Sequence, residues 1–202
     1  MSPRAYKASE QTKNNILQKA IELYNESGTA SVSMSALAEA LGMSAGNLQY
    51  HYKNKEEMIR AIYEVMYFDW QEIYTGMDES FNLDVLRVIL GKNFDLTWKY
   101  RFFYREYAAL LRHDKTLSKR FREIQEQRVS EQEALVNLVA KKNRIKLDPK
   151  ETRNVVLIGW VLGNTWLSYI ESTGRDVDKS ALDEAVEMML LHYKSYIFKE
   201  VK

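Results

Sequence analysis

The chain has no cysteine in its 202 residues. Disulfides, thiolate metal sites and cysteine nucleophiles are all excluded by that one absence. Proline and glycine are also scarce, at two and eight residues, so little in the sequence interrupts long regular elements. No long hydrophobic run is present either. The longest, "VVLIGWVLG" from Val155 to Gly163, stops at Asn164 and is too short to span a bilayer. The opening stretch "MSPRAYKASEQTKNN" is polar and has no apolar h-region, so no secretory signal is expected. These features predict a cytoplasmic protein with no membrane partner.

Charge of one sign is missing as well. Lys and Arg total 29 against 28 Asp and Glu, a net charge of +1, so the chain as a whole is no polyanion binder and any such affinity must be local. Two enzyme signatures, the P-loop and H-E-x-x-H, are absent. "GMSAG", Gly42 to Gly46, matches G-x-S-x-G in letters but lies between two helical segments and not on the strand-to-helix turn that a nucleophile elbow needs. None of the three histidines, His51, His113 and His192, sits in the Glu-x-x-His pairing that di-iron helical bundles need. Carboxylates such as Asp69 and Glu72 read as solvated or capping charges. The expectation is a protein that is not an enzyme and holds neither metal nor cofactor.

What is there is helical pattern. Hydrophobic residues make up 46% and charged residues 28%, a soluble globular balance, and the apolar positions recur at helical spacing. The first helix is predicted from about Glu10 to Ser27, with Ile16, Leu17, Ala20, Ile21, Leu23 and Tyr24 on one face and Gly28 as its stop. Ser33 would cap a short second helix, "MSALAEAL", and Ser44 a third that ends near Tyr52. Asn54 would cap a long fourth helix, with Glu57 placed as in a capping box and Gly76 at its end. Longer helices follow at about Leu83–Tyr100, Phe102–Arg112, Leu117–Arg144, Lys150–Ser172 and Lys179–Lys199. Asp148-Pro149 supplies a cap followed by proline at the first helical position. Short helices precede long ones, which divides the chain into residues 1–54 and 55–202, with the fourth helix leading from one into the other.

The stretch "SAGNLQYHY", Ser44 to Tyr52, follows the turn "GMS" and forms the second half of a helix-turn-helix. At about 100° per residue, an inward Leu48 brings Ala45, His51 and Tyr52 toward its side. Gly46, Asn47, Gln49 and Tyr50 then face outward. Asn and Gln can pair bidentately with adenine, Tyr can donate to a phosphate, and glycine allows close approach. Lys55 adds a positive charge at the start of the next helix. The same polar face would equally suit a short helix that is merely solvated.

The residues also resemble a family. "ILQKAIELYNESGTASVSMSALAEALGMSAGNLQYHYKNKEEMIRAIYE", Ile16 to Glu64, is similar to the N-terminal domain of TetR-family bacterial transcriptional regulators. The likeness runs through Leu23-Tyr24, Gly28, Ser33, Leu37-Ala38, Gly42-Met43-Ser44, Gly46-Asn47-Leu48, His51-Tyr52 and Lys55-Glu56-Glu57-Met58. It implies an all-α protein: a three-helix DNA-binding domain, then a larger helical domain for effector binding and dimerisation. It further implies a ligand-responsive regulator, by default a repressor, that binds a palindromic double-stranded DNA operator as a homodimer and is released by a small-molecule effector. Carried over by position, the DNA-binding set is Ser33, Ser35, Ala45, Gly46, Asn47, Gln49, Tyr50 and Lys55, with Ser33 and Lys55 on phosphates. One position departs from the pattern: Gln49 stands where the family usually has tyrosine, so it could read a base. His51 is expected to pack and hydrogen-bond within the domain. A helical ligand-binding protein without DNA binding is the alternative, and a helical-bundle enzyme a more distant one.

In the larger part, aromatic residues are dense from Tyr63 to Tyr107. Such a stripe serves as core or as pocket. The candidate pocket set is Tyr63, Tyr67, Trp70, Trp98, Phe102, Arg105 and Trp166, with Arg101 and Asn164 as further polar groups. The last two long helices are the candidate homodimer interface. Gly159 and Gly163 would form a shallow groove, and Trp160, Val161, Trp166, Leu167, Ile170, Met188, Met189, Leu191, Tyr193, Tyr196 and Ile197 would supply apolar area.

Overall fold

The structure, a computed structural model, describes residues 3–75 and 81–198, with side chains from Ser9 onward. Among the described residues there are nine helices and no strand: α1 (Pro3–Ser31), α2 (Met34–Ala40), α3 (Ala45–His51), α4 (Lys55–Tyr74), α5 (Leu83–Lys99), α6 (Arg101–His113), α7 (Lys115–Lys142), α8 (Pro149–Ser172) and α9 (Lys179–Ile197). The all-α expectation holds. Gly76 and Lys199, expected at the ends of α4 and α9, lie outside the described residues. No helix among those described is long and apolar enough to cross a membrane.

Local chemistry sets the boundaries. Helix α1 breaks at its predicted stop: Gly28 is non-helical, and a short helical piece continues beyond it to Ser31. Gly28 adopts φ 75°, ψ 157°, a conformation open essentially to glycine alone. Helix α7 starts earlier than the apolar pattern indicated, since Asp114 accepts from the backbone N–H groups of Thr116 and Leu117. Helix α8 has the reciprocal capping box: Asp148 Oδ1 accepts from Glu151 N–H, and the Glu151 carboxylate accepts from Asp148 N–H, each at 2.8 Å. At α4 the arrangement is offset by one residue. Asn54 Oδ1 accepts from Glu57 N–H, but the Glu57 carboxylate takes the N–H of Lys53 rather than that of Asn54.

The helices form two compact units. The first comprises residues 1–68 and 99–103; the second comprises 69–98 and 104–202. The core of the first unit is Ile16, Ala20, Ile21, Tyr24, Leu37, Ala38, Leu48, Met58, Ile62 and Tyr63, all buried. The short segment 99–103 is sealed into it. Asn25, itself buried, donates from Nδ2 to the Lys99 carbonyl at 2.8 Å and accepts the Phe102 N–H at 3.0 Å. Phe102 packs against Tyr24 and Phe103 stacks on Tyr63, with ring centroids 5.3 and 5.0 Å apart.

The core of the second unit joins α5, α7, α8 and α9 through Leu86, Ile89, Leu90, Phe94, Val136, Val139, Val155, Val156, Trp166, Ile170, Ala185, Met189 and Tyr193. Polar ties fix the helices in register. Trp166 Nε1 donates to the Ala181 carbonyl, and Asn143 Nδ2 donates to the Ile197 carbonyl. A ring nitrogen of His192, Nε2, lies 2.8 Å from the Val155 carbonyl oxygen.

Candidate functional site

Helices α2 and α3 are joined by a turn whose hydrogen bonds account for its sharpness. Gly42 N–H donates to the Glu39 carbonyl and Met43 N–H to the Ala38 carbonyl, each at 3.0 Å, the paired bonds of a Schellman ending. Gly42 takes the left-handed conformation this requires, with φ 64°. Two serines cap the helices: Ser33 Oγ accepts from Ala36 N–H and Ser44 Oγ from Asn47 N–H. Each hydroxyl keeps its own O–H as an outward donor.

Helix α3 divides as its periodicity indicated. Leu48 is wholly buried and Tyr52, its C-cap, is nearly so, whereas Tyr50 is 78% exposed. Gly46, Asn47 and Gln49 are exposed too. Ala45, which helix geometry set toward the Leu48 side, is also exposed because it is the first residue of the helix. Ser33 and Ser35 are exposed at the start of α2. A Cβ added at Gly46 would meet nothing within 4 Å, so packing within the chain does not call for glycine there.

Lys55 is not simply a solvated charge. It is half-buried, and its Nζ donates to the Thr29 carbonyl beyond the Gly28 kink, which ties the start of α4 to the end of α1. Two further N–H donors remain on the ammonium. His51 meets only half of its expectation. It packs edge-on to Tyr50 with centroids 5.3 Å apart, but its buried Nδ1 has no hydrogen-bond partner among the described residues. Burial, reinforced by Glu10 and Glu57, pushes the Tyr52 phenol up to about 12. Burial and then Glu56 likewise raise that of Tyr24, whose hydroxyl lies 3.6 Å from Met58 Sδ.

The second unit holds a cavity. It lies among α4, α5, α6, α7, α8 and α9 and offers about 90 Å³ to a water-sized sphere, a small cavity beside the usual small-molecule site. Leu86, Ile89, Leu90, Phe94, Val136 and Met189 give it an apolar wall, and Tyr74, Asn93, Tyr104, Arg128, Gln132 and Asn164 give it polar groups.

Two sequence families match the chain. Residues 70–202 match TetR, described as bacterial transcriptional repressor, and residues 16–62 match the bacterial regulatory proteins of the tetR family. The chain belongs to the TetR family of bacterial transcriptional regulators. It is 26% identical over 89 residues to the HTH-type transcriptional regulator AcrR of Shigella flexneri, an alignment that spans 44% of this chain and 41% of AcrR. Among solved structures, a TetR-family transcriptional regulator from Marinobacter aquaeolei superposes with a TM-score of 0.81 at 24% identity, covering 92% of this chain and 91% of that one. AibR, solved with isovaleryl coenzyme A and operator DNA, superposes with a TM-score of 0.66 at 18% identity, covering 88% and 97%. These two likenesses are of fold.

In this TetR-family chain the cavity is not lined by the aromatic set expected from the sequence. Tyr63 and Phe102 belong to the core of the first unit, where Tyr67 packs beside Phe68. Trp70 is buried under the Arg128 guanidinium, Trp98 is partly exposed, Arg105 is paired with Glu171, and Trp166 is held by Ala181. None of the seven lines the cavity; of the polar groups anticipated, Asn164 does. The aromatic stripe went mostly into core because large rings at helical spacing satisfy both demands equally.

The glycines of α8 also differ from expectation. Gly159 is buried against Tyr193 of its own chain, while Gly163 is half-buried with open space beside it; both line the cavity. Trp166, Leu167, Ile170, Met189, Tyr193 and Ile197 are likewise internal, while Trp160 is half-buried and donates to Gln125. Val161, Met188, Leu191 and Tyr196 do face outward, joined by Leu157, Ile158 and Tyr169.

Proposed function

We propose that the protein is a ligand-responsive repressor. As a homodimer it grips a palindromic operator with two copies of α3, and it lets go when a small molecule fills the cavity of the second unit. The observation that carries this reading is the division of α3. Buried Leu48 and Tyr52 anchor it, while Gly46, Asn47, Gln49 and Tyr50 present backbone, two amides and a phenol to solvent. Groups of this kind read base edges and phosphates in a major groove. Ser33, Ser35 and Lys55 would add phosphate contacts that set register. AibR, of similar fold, has been captured with both a small molecule and its operator, which supports giving one chain both tasks.

The homodimer would form through the exposed apolar stripes of α8 and α9, Leu157, Ile158, Val161 and Tyr169 with Met188, Leu191 and Tyr196. An isologous contact places the same patch on both subunits. Release follows from chain continuity. Helix α4 contributes residues through Phe68 to the first unit and from Asp69 onward to the second, where Tyr74 lines the cavity. A ligand that favours one position of α4 would alter the spacing of the two reading helices by its differential affinity for the two states.

The decisive experiment is a titration of the purified protein against inverted repeats taken from the DNA flanking its own gene, with scrambled duplexes beside them. Protection of one repeat at a stoichiometry of two chains, together with a dimer in sedimentation, is expected. Equal affinity for repeat and scramble would overturn the reading.

A further inference from the structure

If the cavity of the second unit is the effector site, as proposed above, its lining specifies the chemistry of the effector. Most of the wall is hydrocarbon. Into it α7 projects Arg128, a half-buried guanidinium whose Cζ lies 3.9 Å from the Trp70 ring centroid. Its Nε is buried with no hydrogen-bond partner, and no ion pair among the described residues includes it. Arg87, Arg105, Arg153 and Arg175 differ: each is paired with a glutamate.

Arginine stays charged in proteins, and withdrawing a charge from water without a partner is unfavourable. A ring against one face of the guanidinium covers that face alone. The N–H donors lie in its plane, so the edge that pairs bidentately with a carboxylate or phosphate is left to another partner. Further polar groups gather at the same end of the cavity. The Tyr74 hydroxyl oxygen accepts from Asn93 Nδ2 at 2.9 Å, and the Tyr74 ring packs on Trp70 with centroids 4.4 Å apart. Gln132 follows Arg128 by one turn of α7 and lines the same cavity. Burial raises the Tyr74 phenol above its ordinary range although the Arg128 charge opposes this, so the phenol remains a neutral O–H donor.

We propose that the cavity selects an amphipathic anion, with a carboxylate or phosphate head held by Arg128 beside Tyr74 and Gln132 and an apolar body against Leu86, Leu90 and Met189. The protein itself supplies no anion for this arginine among its described residues; the ligand does.

The test is calorimetric titration of the full chain with four probes that share one alkyl tail: octanoate, octyl phosphate, octanamide and octylamine. At least one of the two anions should bind tenfold or more tighter than octanamide, with octylamine weakest. Arg128→Met, which keeps an apolar side chain over Trp70, should erase that preference while octanamide binding stays within about twofold. Arg128→Lys should restore part of it. Which anion leads distinguishes a carboxylate from a phosphate head. Should Arg128→Met not fold, the wild-type series decides by itself. Octanamide within threefold of both anions would overturn the proposal and leave the cavity standing as an effector site. No binding by any of the four probes would overturn both.

Discussion

The buried side chain of Asn25 accepts the backbone N–H of Phe102 at 3.0 Å. The other end of the same amide donates to the Lys99 carbonyl, so one asparagine on α1 closes the junction between α5 and α6. Phe102 N–H sits at the start of α6, where no intrahelical acceptor exists for it. Asn25→Ala therefore strands a buried donor, a change that costs about 1–3 kcal/mol. Urea unfolding should show that loss with an unchanged m-value. Asn25→Asp keeps the acceptor for Phe102 but loses the donor to Lys99, and should fall between the two. Full stability in Asn25→Ala would mean that the junction is held by ring packing alone.

Gly46 offers a separation of stability from function. It lies in the first turn of α3, exposed, with open space where a Cβ would go. Helix propensity alone favours alanine there by about 0.5–1 kcal/mol, at the lower end near a helix terminus. Gly46→Ala should hold or raise the melting temperature while weakening operator binding, because the added methyl occupies the face that approaches DNA. Unchanged operator affinity in a stabilised variant would remove Gly46 from the interface.

Gln49 and Lys55 should fail in different ways. Gln49→Ala should lower discrimination at one operator position by about 1–3 kcal/mol, and Lys55→Ala should weaken all sequences alike and reduce the salt slope by about one. The bond from Lys55 to Thr29 adds a second effect: Lys55→Ala should also cost about 1 kcal/mol of stability, which Gln49→Ala should not. Titrations on operator and scrambled duplexes at several salt concentrations, with a melt of each variant, read all three quantities. Equal losses on both duplexes for Gln49→Ala would rule out a base-reading role.

Alkali should unfold the first unit in part through Tyr52. In an unfolded chain its phenol titrates near 10; in the folded protein burial, then Glu10 and Glu57, push it up to about 12. The folded state thus holds the proton more tightly. The stabilisation is complete below about pH 10 and is lost as pH rises from there toward 12. Between pH 10 and 11 the unfolding free energy of the wild type should fall more steeply than that of Tyr52→Phe, by at most about 1.4 kcal/mol per pH unit. Parallel slopes in the two proteins would show that the phenol titrates alike in both states.

The sequence was most informative where one residue type could satisfy one geometry. Ser33, Ser44 and Asp148 were legible as caps, Gly42 as the turn of the helix-turn-helix, and Leu48 as the anchor of α3, because each answers a local requirement of the backbone or of a single periodic face. Legibility ended where the outcome depended on long-range packing. The rings of Tyr63, Phe102 and Trp166 fit core and pocket equally well by spacing. What decided between them was contact with partners 40, 78 and 15 residues away: Phe103 on Tyr63, Tyr24 on Phe102, and the Ala181 carbonyl on Trp166. Arg128 gave no local signal, since its distinction is the lack of a glutamate partner although Glu126 and Glu131 stand close by in sequence. Gly159 and Gly163, one turn apart, marked a close approach; the fold shows one at Gly159 alone, and it comes from Tyr193 of the same chain.

Gly159 puts that last point to a test. A Cβ at this position would lie 2.5 Å from the Tyr193 hydroxyl oxygen and 3.2 Å from its Cζ, so the buried Tyr193 ring would have to shift along the cavity that it lines. Two effects oppose each other in Gly159→Ala. Alanine gains about 1 kcal/mol in helix propensity, while overpacking a filled site costs about 1–3 kcal/mol. A contact at 2.5 Å must be relieved by moving the ring, so a net loss of up to about 2 kcal/mol is expected. Tyr193→Phe removes the clashing oxygen. In that background the same Gly159→Ala change should be neutral or stabilising, so the double-mutant cycle should show a coupling of 1 kcal/mol or more, about the size found for residues in direct contact. Gly163→Ala is the control, because a Cβ there meets nothing within 4 Å and should show no coupling to Tyr193. Additive effects of Gly159→Ala and Tyr193→Phe would mean that α8 and α9 separate readily, and Gly159 would then be available to a second subunit after all.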